Sequence, residues 1–277
     1  MLKIGLALGA GGARGLAHIC FLEVFDELGI KPNVIAGSSI GAIIGAAYAA
    51  GVSASEIREN VEEIIFTKDA KFWELRKRSE ILKAMNFIDP QLSTGGFIKG
   101  EKFVNFMGER LGVKTFEELK IPLKIIATDF IDNKAEILEK GDLLTAIRAS
   151  YAIPGLFAPV EYKGKMLMDA GMSNPLPYDV ISDECDITVA VDVTVNKAKQ
   201  FKEIPPVYEL LFASFSLMQR SIILEKLKRH TPDIYIDTNI NNVRVHEFKK
   251  IRDIFEQARP LKSKLKRELE KFIARNQ

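Results

Sequence analysis

Three short stretches carry residue types that could do chemistry together. The first, Val34-Ile35-Ala36-Gly37-Ser38-Ser39-Ile40-Gly41, leads into an alanine-rich run to Ala50 and contains Gly-x-Ser-x-Gly centred on Ser39. A β-branched run before the motif and a helical stretch after it predict a sharp strand-to-helix turn. In such a turn the flanking glycines Gly37 and Gly41 clear space for neighbouring backbone, and the Ser39 hydroxyl is exposed at a helix N-terminus. The N–H groups and dipole there favour a developing oxyanion, so the arrangement suits acyl transfer with Ser39 as nucleophile. Such a motif arises by chance in roughly one chain in ten of this length, so its setting carries the weight. A turn whose glycines serve packing only is the plain alternative.

The second stretch, Gly9-Ala10-Gly11-Gly12-Ala13-Arg14-Gly15, also lies between a strand and a helix. It fits a dinucleotide fingerprint poorly. Arg14 stands where Gly or Ala is needed, the second strand ends in Ala36-Gly37 without the acid that binds a ribose, and no Gly-Lys-Ser/Thr follows. Consecutive glycines present unobstructed N–H groups, which makes Gly11 and Gly12, with the Ile40 N–H, the expected oxyanion donors. Arg14 is expected to hold the loop by bonding carbonyls; meeting a phosphate is the alternative.

The third stretch, Met168-Asp169-Ala170-Gly171, runs into Ser173-Asn174-Pro175-Leu176-Pro177, a loop composition at a sheet end. A carboxylate there can reach Ser39, but an ordinary aspartate, with a pKa of about 3.9, is a weak base and would need burial to raise it. An Asx turn that only holds the loop is the bland reading. The three histidines, His18, His230 and His246, are each expected to be structural, although His230 or His246 would suit a Ser-Asp-His order.

The elements that must position these residues follow from periodicity. A buried strand over 2–8, the glycine turn, a helix from Leu16 to Leu28 stopped by Gly29, a strand over 33–36 and a helix from Ser39 to Ala50 predict a parallel sheet. Ser53 or Ser55 can cap a third helix through Ile65, and Asp142 a short one through Ser150. Further strands are expected at Ile121–Phe130, Ala135–Glu139, Ile187–Val193 and 233–237, with a hairpin over Val160–Met168 broken at Lys163-Gly164. Helices are expected near 101–111, over 206–229 and at the C-terminus. Residues 68–100 read as a loose segment, a flap or an ordinary surface excursion, and prolines make 153–159 a loop over the sheet end.

Bulk properties bound the function. A chain of 277 residues with 47% hydrophobic content can bury one large α/β core. Its 39 basic and 37 acidic residues leave a net charge of +2, which gives no electrostatic support for a nucleic-acid partner. Two distant cysteines, Cys20 and Cys185, match a reducing compartment and a cytoplasmic location. The apolar N-terminus is broken by five glycines between residues 5 and 15 and by Arg14, so it reads as a strand and not as a leader. No apolar run reaches the roughly 18–20 residues of a membrane span, so any membrane contact must be peripheral. The last segment, 261–277, carries Lys262, Lys264, Lys266, Arg267, Lys271 and Arg275 against Glu268 and Glu270; it could touch anionic lipid, though a solvated helix face is commoner.

Together the three stretches resemble the bacterial branch of the patatin-like phospholipase family. Gly9 to Gly15 is similar to its oxyanion loop, Gly37 to Gly41 to its nucleophile elbow, and Asp169-Ala170-Gly171 to its aspartate turn. Ala149-Ser150-Tyr151-Ala152-Ile153-Pro154-Gly155-Leu156-Phe157-Ala158-Pro159 is similar to a further shared segment. The resemblance covers about residues 4–195. It implies a three-layer α/β/α fold with a mostly parallel sheet, a single domain over 1–277 with a helical extension from about 206, and a Ser39–Asp169 dyad without histidine. It also implies hydrolysis of acyl esters of lipids, of phospholipase A, lysophospholipase or esterase type, with no metal or other cofactor. Ala10 and Ala170 stand where the family commonly has glycine, and Ala170 would strain its turn if a positive φ were required. A non-catalytic lipid- or partner-binding protein on the same scaffold, pointed to by Ala170 and by Leu210-Leu211-Phe212-Ala213-Ser214-Phe215, is the alternative.

Overall fold

The computed structural model describes residues 2–66, 101–194 and 207–275; the loose segment read at 68–100 lies outside the described residues. Strand β1 (Ile4–Leu8) is wholly buried and sits between two parallel neighbours, β2 (Val34–Ser38) and β7 (Ile187–Asp192). Burial on both faces explains its continuous apolar sequence. The remaining strands are β3 (Leu123–Asp129), β4 (Lys134–Leu138), β5 (Val160–Tyr162), β6 (Lys165–Met168) and β8 (Ile234–Asp237), in the order β5-β6-β3-β2-β1-β7-β8, with β4 antiparallel to β3. The helices are α1 (His18–Glu27), α2 (Ile40–Ala49), α3 (Ala54–Phe66), α4 (Glu101–Leu111), α5 (Leu143–Ser150), α6 (Val207–Arg229) and α7 (Ile251–Arg275).

Alternation along β1 divides the core in two. Leu6 and Leu8 join the larger cluster with side chains of α1, α2, α3, α5 and α7, whereas Ala7 faces a smaller one built from Leu176, Tyr178, Ile181, Ala190 and Ile223 of α6. Helices therefore cover both faces of a mostly parallel sheet, the three-layer α/β/α arrangement expected. Among the described residues, no helix is long and apolar enough to cross a membrane.

Caps and element positions match the sequence reading closely. Asp142 Oδ1 accepts the Leu144 and Thr145 N–H groups, and Ser53 with Glu56 closes a reciprocal cap on α3. One reading needs correction, and one is given its bounds. The first helix begins at His18, because the glycine loop runs into a 3₁₀ segment over Gly12–Ala17 whose Gly12 has φ 58°. The C-terminal helix starts at Ile251 and runs through Pro260, since buried Ile254, Ala258, Leu265 and Leu269 outweigh a proline penalty of about 3 kcal/mol. Part of its basic charge is already engaged, with Lys262 on Glu23 and Glu27 and Lys266 on Glu27 of α1.

Candidate active site

Register brings the first and third stretches together. Ser38 ends β2 opposite Ile126 of β3, and Met168 ends β6 opposite Thr128 running the other way. One further residue on each chain carries both Ser39 and Asp169 to the level of Ala127. There the Ser39 hydroxyl donates to Asp169 Oδ2 at 2.7 Å, across 130 residues of sequence.

The turn at Ser39 is strained and tightly packed. Ser39 has φ 55° and ψ −119°, a conformation that a side chain-bearing residue adopts at a cost of about 1–3 kcal/mol. A Cβ on Gly37 would lie 2.6 Å from Ala42 Cα, and one on Gly41 would overlap the Leu8 carbonyl oxygen, so glycine is required at both. The Ser39 N–H donates to Ser150 Oγ at 2.9 Å, and its carbonyl accepts the first helical bonds of α2 from Ala42 and Ile43. Ser38 Oγ donates to the Asn174 carbonyl at 2.7 Å, tying the elbow to the loop after Asp169.

Asp169 is fully buried and fixed from both ends. Its Oδ1 accepts the Gly171 N–H at 2.7 Å, and its carbonyl accepts the Thr128 hydroxyl at 2.8 Å, which in turn meets Ser173 Oγ. Burial pushes the carboxyl up to about 6, against the hydrogen bonds from Ser39 and Gly171 that pull it down. The rise in basicity that the sequence reading demanded is therefore present at this group. Ala170 does not adopt a positive φ, so alanine there costs no backbone strain. At Gly171 a Cβ would fall on the side-chain amide of buried Gln219 from α6 and lie 2.8 Å from Asp169 Oδ1, so a larger residue there would displace Gln219 and crowd the carboxylate.

The glycine loop is anchored at its ends. Gly9 N donates to Val191 O, Ala10 N to Pro175 O and Ala13 N to Val245 O at 2.8 to 3.1 Å; among the described residues no such anchor engages the Gly11 or Gly12 N–H. Gly11 packs on Val193, Gly12 on the Val245 carbonyl, and Gly15 on the Ile40 side chain. Arg14 is buried and donates to the carbonyls of Val193 at 3.0 Å and Val243 at 3.2 Å, the structural task expected of it. Desolvation lowers its pKa to about 10, partly offset by Asp192, so it stays charged at neutral pH.

No imidazole stands between Ser39 and Asp169. His18 is buried with Nε2 donating to Gly9 O at 2.8 Å, and desolvation lowers its pKa to about 4, leaving it neutral. His230 stacks on Tyr178, and His246 lines a cavity. That cavity, about 880 Å³, opens beside Ser39, Ile40 and Gly12 and is walled mainly by apolar side chains such as Ile43, Ile57, Phe103, Met107 and Phe157. Among the described residues no group of three His, Cys, Asp or Glu side chains is disposed to hold a metal ion. The sequence reading assigned no task to Ser150, Thr128 or Gln219. Ser150 alone carried a signal, lying in the segment from Ala149 to Pro159.

A strained serine turn bonded to a buried carboxylate, at the end of a parallel sheet covered on both faces, defines a class of α/β proteins. Residues 6–181 match the patatin-like phospholipase family model. An uncharacterized NTE family protein of Mycobacterium tuberculosis is 36% identical over 205 residues, 74% of this chain and 52% of the relative. A lysophospholipase of Candida glabrata is 26% identical over 276 residues, 91% of this chain and 15% of the relative. Patatin-like phospholipase domain-containing protein 6 of Homo sapiens is 31% identical over 193 residues, 69% of this chain and 13% of the relative. Among solved structures, VipD from Legionella pneumophila aligns over 95% of this chain and 67% of its own, with a TM-score of 0.48 and 15% identity. The chain belongs to the patatin-like phospholipase family. It spans about half the length of the mycobacterial relatives it matches and less of the eukaryotic ones.

Proposed function

We propose that the chain is a serine acyl-ester hydrolase acting on lipids, with Ser39 as nucleophile and Asp169 as general base. The 2.7 Å hydrogen bond from Ser39 Oγ to a carboxylate raised to about 6 is the observation that carries this reading. Asp169 takes the hydroxyl proton as Ser39 Oγ attacks the acyl carbonyl, and the N–H groups of Gly11, Gly12 and Ile40 donate to the oxygen as it becomes negative. Collapse of the tetrahedral adduct breaks the ester bond, and the proton on Asp169 passes to the departing alkoxide. Water, deprotonated in turn by Asp169, then releases the carboxylate product and restores Ser39. The apolar cavity beside Ser39 suits an acyl chain, which makes phospholipase A, lysophospholipase or esterase substrates the class. The chain works as a single domain, since Val243 and Val245 near its end hold the glycine loop near its start.

Turnover of a p-nitrophenyl acyl ester, with intact-mass detection of a fluorophosphonate adduct on the Ser39 peptide, tests the reading. Ser39→Ala should abolish both, and Asp169→Asn should lose about 10³-fold or more of turnover. Retained turnover in Ser39→Ala, or no adduct on the wild type, would overturn it and leave a binding scaffold. Activity requires the ionised carboxylate, so kcat/KM should fall about tenfold per pH unit below about 6. The folded state prefers the protonated acid, so the stability it contributes is full below the unfolded pKa and lost as pH rises through about 6. Asp169→Asn should therefore stabilise the fold at pH 8, by about 1–3 kcal/mol.

A further inference from the structure

Helix α6 carries apolar side chains on its outer as well as its inner face along its first 18 residues. Val207, Leu210, Leu211, Leu217, Met218 and Leu224 are exposed, Val207 to 75% and Leu217 to 68%. With Ser214 and Ser221 they recur at steps of three and four residues and form one stripe about 26 Å long. The charged residues of the same span point away from it: Glu209 pairs with Arg244 at 2.8 Å, and Arg220 bridges Asp192 and Asp237 at 2.5 and 2.7 Å. A surface helix ordinarily shows the reverse, and a contiguous apolar strip in water marks a place where something else sits.

The stripe borders the cavity. Phe212, next to exposed Leu211, lines it, as do half-exposed Phe248 and the two cations that follow, Lys249 and Lys250. We propose that this stripe is the surface by which the protein docks on an anionic lipid bilayer, with α6 lying in the headgroup plane and the cavity mouth facing the acyl esters. Neither α6 nor any other described helix can cross a membrane, so the contact is one of lying on the surface. A bilayer fits better than a second copy of the chain on two grounds. A docked copy would cover the mouth through which substrate must pass, and exposed Lys249 complements anionic headgroups; Lys250 beside it is paired with Glu247 at 3.0 Å. The stripe's use in catalysis and the first of these grounds rest on the hydrolase reading; the exposed apolar stripe and the charge beside it do not.

Co-sedimentation of the full chain with ether-linked phosphatidylcholine vesicles, with and without 30% ether-linked phosphatidylglycerol, tests this without hydrolysis. Wild type and Ser39→Ala should bind alike and prefer the anionic vesicles. The double variant Leu211→Glu/Met218→Glu should lose about tenfold or more in partitioning, while its turnover of a soluble short-chain ester stays at the wild-type level. Lys249→Gln should lessen the preference for phosphatidylglycerol. Absence of binding by the wild type, or unchanged binding by the double variant, would overturn the proposal. So would a wild-type dimer in sedimentation velocity that the double variant converts to monomer with vesicle binding intact. Vesicle binding without ester turnover would instead remove the hydrolase reading and leave the docking surface standing.

Discussion

The two glycine turns that meet at Ser39 are held in opposite ways. The elbow over Gly37 to Gly41 is shaped within the first strand-helix-strand-helix unit: Gly37 rests on Ala42, and Gly41 lies under the Leu8 carbonyl of β1, the strand paired with β2. Its strain at Ser39 is fixed by β2 on one side and α2 on the other. The loop over Gly9 to Gly15 is held instead from far along the chain, through Val193, Val243 and Val245, with Arg14 reaching carbonyls 179 and 229 residues away. The aspartate turn resembles the loop in this respect, since Gly171 is shaped by Gln219 of α6. The nucleophile is thus set largely by the contiguous β1-α1-β2-α2 unit, with single hydrogen bonds from Ser150 and Asn174 added from outside it, whereas the groups proposed to act on its oxygen and proton depend on the folded whole.

The contrast can be broken most severely at Gly41. Its missing Cβ would overlap backbone, the Leu8 carbonyl, which no rotamer change can relieve. Gly41→Ala should give no turnover and little soluble protein, measured as expression yield and circular dichroism; a folded, active variant would show that the elbow is looser than its packing implies. A smaller effect is expected at Arg14. Arg14→Met keeps the buried stem and removes the two carbonyl tethers, so kcat should fall about 10- to 100-fold with KM changed little. An unchanged kcat would mean that contacts of Gly11 and Gly12 with Val193 and Val245 hold the loop unaided.

The same contrast explains what the sequence could disclose. The elbow, the strand-helix alternation and the Asp142 cap were legible because the physics that sets them acts within a few residues: glycine spacing, periodicity of two or 3.6, a side chain closing on its own turn. Asp169 was legible as a loop carboxylate, but its elevated pKa comes from complete burial, which only the assembled fold supplies. The role of Gln219 was not legible, since nothing in α6 signals that one amide will fill the space beside Gly171. The course of α7 through Pro260 was hidden for a related reason. A local rule disfavours proline there, and contacts with α1, nearly the whole chain distant, override it.

Ser150 lies between these cases and gives the smallest effect. It ends α5, and its buried hydroxyl accepts the N–H of Ser39 at 2.9 Å, a contact from outside the elbow on the elbow's most strained residue. Ser150→Ala leaves that N–H buried without an acceptor, at a cost of about 1–3 kcal/mol. If the elbow is locally determined, the loss should appear in the melting temperature while kcat falls by less than about tenfold. If Ser150 instead helps to hold Ser39 at φ 55°, kcat should fall with stability, and Ser150→Thr, which restores an acceptor, should recover both. The ratio of the two losses therefore measures how much of the strain at Ser39 is carried by residues 37–42 and how much is imposed from α5.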